Sequence, residues 1–194
     1  MLKSASIILL FVLAINVEGF AQDYNKFAGI PFGATRQTVA EELLKRGYEP
    51  YGQSSHGNMG LSTYQFGELL VQIEFLFNQN DKFYAFEIRT GRVEEARLPK
   101  VFEAVSYMSE QFDLKYKKHA SDATLTEKDL HEGRNIYEQW FGVRALDAYT
   151  SIIKTGSRYH ATGYVTHRAL AKEKKNESGE KLPPHQYSKN QKYN

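Results

Sequence analysis

Between residues 69 and 90 the apolar and polar positions alternate with a period of two. Leu69, Val71, Ile73, Phe75 and Phe77 fall on one side, with Gln72 and Glu74 on the other. After Asn78-Gln79-Asn80-Asp81 the alternation resumes, with Tyr84, Phe86 and Ile88 set against Glu87 and Arg89. Successive side chains of an extended chain point to opposite faces, so this stretch predicts a hairpin of two strands with one buried face. Phe75 and Phe86 are its expected core residues. A shorter strand over 61–66 precedes it, joined by Gly67-Glu68. Further strands are predicted over 136–141, 148–155 and 158–167, the last two joined by Gly156-Ser157.

A different period marks two helices. From Arg36 to Arg46, Val39, Leu43 and Leu44 share a helical face, Thr35 is placed to cap the free first-turn amides, and Gly47 suits the left-handed stop. From Leu98, Val101, Phe102, Val105, Met108 and Phe112 form one stripe through about Tyr116. Pro99 is harmless there, because its missing amide would have had no partner in a first turn. Residues 50–60 and 117–135 are polar and turn-rich and read as loops.

The predicted order is helix, three strands, helix, three strands. It gives an α+β fold of two tandem αβββ units, about 27–92 and 93–167, with a mostly antiparallel sheet and its helices packed on one face. The segment Phe27-Ala28-Gly29-Ile30-Pro31-Phe32-Gly33 and the helix end Leu44-Lys45-Arg46-Gly47-Tyr48 resemble small secreted proteins of unknown function from Gram-negative commensal bacteria. The layout is similar to the tandem helix-plus-sheet repeats of the β-lactamase-inhibitor-protein-like fold. The best-known members of that fold have cysteine-linked halves; this chain has no cysteine, so enzyme inhibition is not implied for it.

The ends of the chain differ from its middle. Lys3, an apolar block over 7–15 and Gly19-Phe20-Ala21 have the order of a secretory signal peptide over 1–21. The block is too short to span a bilayer, so no stable membrane insertion is expected after cleavage, and the mature chain is expected to be periplasmic or secreted. Residues 168–194 carry seven Lys or Arg against three Glu, a net charge of +4, and no apolar periodicity, which predicts a basic disordered tail. The whole chain carries +2 and residues 1–21 cancel, leaving −2 on 22–167, the expected single domain. A nucleic-acid partner has no electrostatic support there.

Candidate chemistry is sparse. The six histidines, at 56, 119, 131, 160, 167 and 185, have no metal-ligand spacing; even His160 and His167 are seven apart. Ser54-Ser55-His56 sits in a polar loop without a nucleophile elbow, and Glu41-Glu42 and Glu94-Glu95 are sequence neighbours that do not share a proton site. No catalytic residue, metal or cofactor is expected. The 13 tyrosines, in contrast, exceed what the predicted core absorbs.

Tyrosine offers a rigid contact area with a polar tip, which suits binding surfaces. On strand Arg158–His167, Tyr159, Ala161, Gly163 and Val165 are expected inward, leaving Arg158, His160, Thr162 and Tyr164 as an exposed strip. The expected function is a non-catalytic binding protein of the bacterial envelope. Its contact residues are Arg158, His160, Tyr164, Tyr149 and His56, and its partner is an unidentified protein, peptide or glycan. The alternative is a hydrolase-like enzyme with a site assembled from scattered residues such as Arg158, His160 and Tyr164.

Overall fold

The computed structural model describes residues 24–52, 57–116 and 139–178. The expected signal peptide, His56 and the polar stretch 117–135 lie outside the described residues. The elements in chain order are β1 (Lys26–Phe27), β2 (Ile30–Pro31), α1 (Arg36–Lys45), β3 (Met59–Phe66), β4 (Leu69–Phe77), β5 (Phe83–Arg89) and β6 (Val93–Glu94). A short 3-10 turn at Glu95–Arg97 leads into α2 (Leu98–Lys115), followed by β7 (Gln139–Val143), β8 (Leu146–Thr155), β9 (Arg158–His167) and α3 (Arg168–Ser178).

The fold is α+β. Six strands pair antiparallel in the order β3-β4-β5-β9-β8-β7, and β6 adds a short pairing to β9. Two three-stranded meanders, β3 to β5 and β7 to β9, each follow a helix and meet at the centre through β5 and β9. The hairpin read from alternation has the expected register, with Phe75 directly opposite Phe86 and both buried. β3 begins at Met59, earlier than expected, and carries a register shift between Leu61 and Tyr64.

α1 and α2 lie on one face of the sheet. Val39, Ala40 and Leu43 of α1 and Val101, Val105, Met108 and Phe112 of α2 share a single apolar cluster with Phe75, Phe86, Ile152 and Val165. Thr35 caps α1 by accepting the Thr38 amide at 3.2 Å. The far end closes with Tyr48 N–H donating to the Leu43 carbonyl and Gly47 N–H to that of Leu44, the paired bonds of a Schellman stop. α2 approaches β9 closely at Gly163, where a Cβ would stand 2.9 Å from the Phe112 ring. Burial against α2 therefore requires glycine at that position.

The expected disordered tail is corrected over its first part. β9 runs directly into α3, whose Leu170 packs against the core. Asn78 Nδ2 donates to the Leu170 carbonyl at 3.2 Å and to Glu173 Oε2 at 2.8 Å, and Asn80 Nδ2 donates to the same Glu173 oxygen at 3.1 Å. Ordered structure thus continues beyond 167. The β4–β5 turn holds α3 through polar side chains, and such contacts leave no apolar period in the sequence.

Candidate functional site

The sheet face opposite the helices is polar and aromatic. One row crosses all six strands: Gly60, Glu74, Glu87, Tyr164, Tyr149 and Trp140 are consecutive cross-strand partners. Beside it, Gln72, Arg89, Thr162 and Ser151 form a second row, and His160 pairs with Ile153 in a third. Gln72 and Leu70 are exposed, while Glu74, Glu87, Arg89, Tyr149, Ile153 and Tyr164 are partly exposed.

Glu74 and Glu87 stand directly opposite each other on β4 and β5. Like charges in that relation are destabilising unless a cation intervenes. Arg89 supplies it: its Nη2 bonds Glu74 Oε2, and its Nε lies 3.6 Å from Glu87 Oε1. The network extends both ways. Asn58 Nδ2 donates to Glu74 Oε1 at 2.8 Å, and the Thr162 hydroxyl lies 3.0 Å from both Glu87 Oε1 and the Ile88 carbonyl. A polar ladder therefore joins the segment before β3 to the central strand β9. At its outer end Tyr51 pairs with Gly60 through two backbone bonds, and its exposed ring lies where a Gly60 Cβ would sit.

The aromatic end of the face belongs to β8 and β9. The rings of Tyr149 and Tyr164 stack with centroids 5.3 Å apart and planes 29° apart. Tyr84 is the extra residue of a bulge opposite Leu76 and Phe77, and it is buried outside the main apolar cluster. Burial pushes the Tyr164 phenol well above its ordinary range, reinforced by Tyr84, Tyr149 and Glu87 and opposed by a hydrogen bond with Thr166. At neutral pH the hydroxyl is protonated, a donor as well as an acceptor.

Of the expected contact residues, the structure brings Arg158, His160, Tyr164 and Tyr149 onto one face; His56 is outside the described residues. The expectation that residues 158, 160, 162 and 164 form an exposed strip is corrected. Arg158 is exposed and Tyr164 partly so, but His160 is 4% exposed and Thr162 is fully buried. β9 is an inner strand, and side chains of β5 and β8 close over its middle from both sides. Glu74, Glu87, Arg89 and Tyr84 were not foreseen as site residues. The first three were readable in principle, because the hairpin register that buries Phe75 and Phe86 places two carboxylates and a guanidinium together on the reverse side.

His160 is the residue with an unusual environment. Burial, then the charges of Arg92 and Arg89, hold its imidazole below its usual range, and its Nδ1 has no hydrogen-bond partner among the described residues. A general base needs a nucleophile in hydrogen-bond reach and a group that orients it. Neither is present for His160 among the described residues. No group of three or more metal-ligating side chains occurs among them either. Comparison with protein-family models, with curated proteins and with solved structures finds no match to this chain.

Proposed function

We propose that this is an exported, non-catalytic binding protein of the bacterial envelope, and that it holds a protein, peptide or glycan on the outer sheet face around Tyr149 and Tyr164. The observation that carries the reading is the stacked, partly exposed tyrosine pair beside a pre-paired polar ladder. Rigid rings already stacked lose little side-chain freedom on contact, and fixed carboxylate and guanidinium groups present hydrogen-bond partners without rearrangement. The hydrolase-like alternative is less favoured, because His160 lacks a paired hydroxyl or carboxylate among the described residues.

Affinity capture from cell-envelope extract, run in parallel with wild type and Tyr149→Ala, tests the proposal. The expected result is a species retained by wild type and lost by the variant, with an unchanged melting temperature for the variant. Equal retention by both proteins, or turnover of a substrate by the wild type that survives Tyr149→Ala, would overturn it. The export part rests on Lys3, the apolar block over 7–15 and Gly19-Phe20-Ala21. Sequencing the exported product is expected to find Gln22 first, and an intact Met1 would refute the reading.

A further inference from the structure

We propose that the outer face carries an oxyanion site where β9 meets β6, built around His160, Arg92 and Arg158, which takes a carboxylate or phosphate group of the ligand. The inference rests on the reading of this face as a binding surface and adds the charge of what binds there. Its central observation is an unfilled hydrogen-bond position: His160 is 4% exposed, and its Nδ1 is buried without a partner among the described residues. Buried polar atoms in native proteins are nearly always satisfied, and one left unsatisfied is costly.

The backbone places one cation beside that position and a second on the same face. Thr90 N–H donates to the Ala161 carbonyl at 3.0 Å, Ala161 N–H donates to Thr90 Oγ1 at 3.0 Å, and Val93 pairs with Tyr159. The Gly91-Arg92 corner is thereby pinned beside His160. Arg158 lies two positions before His160 on the same strand and so shares its face. Both arginines are exposed, and neither forms an ion pair among the described residues.

Three acids, Glu74, Glu87 and Glu94, balance the three arginines of this face as a whole, but the charges that act on the His160 ring are those of Arg92 and Arg89, both positive. Glu74 and Glu87 are both engaged by Arg89. Glu94 stands opposite Arg158 in register without an ion pair to it. A guanidinium fork beside an imidazole with an unfilled nitrogen, and a second fork on the same face, match an oxyanion.

The test is an NMR titration of the full chain with inorganic phosphate and, separately, with acetate, at ionic strength held constant with chloride. The expected result is a saturable shift of the His160 ring nitrogens with a dissociation constant of about 1 mM or below for at least one ion. Arg92→Ala and Arg158→Ala, both at exposed positions, are each expected to weaken it about tenfold. Lys45→Ala, an exposed cation on α1, is expected to leave it unchanged. A response to phosphate alone identifies a phosphorylated ligand group, to acetate alone a carboxylate, and to both a general oxyanion site. Shifts that do not saturate, or that persist unchanged when both arginines are removed, overturn the proposal. That failure would leave the tyrosine-pair reading standing, since it is tested through Tyr149 and needs no anion.

Discussion

One residue of strand separates two rows of paired positions that cross the same six strands. On the helix side Met59, Phe75, Phe86, Val165, Ala148 and Phe141 are consecutive partners, and all are buried. On the reverse side the next row is Gly60, Glu74, Glu87, Tyr164, Tyr149 and Trp140. The first row is held by area removed from water, about 25 cal/mol per Å² of apolar surface, and responds to lost volume. The second is held by particular atoms meeting particular atoms, and responds to lost charge or a lost donor. The two faces therefore answer to different substitutions, the first to a change in volume and the second to a change in charge or hydrogen bonding.

The largest expected effect tests the first row. Phe75→Ala removes a ring that packs edge-on to Phe27, at 5.9 Å and 61°, and lies 5.5 Å from Phe83. Emptying such a site costs roughly 3–5 kcal/mol. The chemical-denaturation midpoint should fall accordingly, and an unchanged midpoint would mean that this row is not the core.

Thr162→Val tests the second row without touching the first. The substitution keeps shape and β-branching but removes the hydroxyl that meets Glu87 and the Ile88 carbonyl. Hydrogen bonds to charged groups contribute about 1.5–3 kcal/mol, and the loss should appear in the same denaturation assay. A neutral or stabilised variant would show that the ladder is a surface ornament, and the contrast between the rows would weaken.

Third is removal of residues 168–194. Asn78 is buried and loses its bonds to α3, while Leu170 leaves the edge of the core. A cost of about 1–2 kcal/mol is expected, because water can replace part of what is lost. Thermal melting of the truncated chain measures it. An unchanged melting temperature would return α3 to the status of a tail.

These elements also show what the sequence could reveal. The β4–β5 hairpin was legible because a run of alternating positions repeats one physical rule, and α2 because its stripe is long. The pairing of β5 with β9 was not, since it joins Phe86 to Val165 across most of the domain and no local pattern encodes a distant partner. α3 was missed for a related reason: a single leucine and two asparagines on a distant turn hold it. At the candidate site, alternation correctly placed Arg158, His160, Thr162 and Tyr164 on one face. It could not foresee that His160 would be buried there, because exposure depends on the flanking strands, Arg89 and Glu87 on one side and Ser151 and Ile153 on the other.

The smallest expected effect turns on the charge of one ring, and it sharpens the comparison most. Burial, then Arg92 and Arg89, depress the folded-state affinity of His160 for a proton. In the unfolded chain the ring titrates near its ordinary value of about 6.5. Below that value the unfolded state binds the proton more readily, so stability is full above it and declines as pH falls through it toward the lower folded value. Glu74 and Glu87 share the face and pair with Arg89, and the charges that act on the ring are those of Arg92 and Arg89. His160→Gln cannot take up the proton, and its stability should vary less with pH over this window, whatever its plateau. Urea midpoints for both proteins between about pH 5 and 8 measure the two slopes. Equal slopes would mean that His160 meets water freely in the folded state; the outer row would then be an ordinary wet face, and the oxyanion site would lose the buried donor on which it is built.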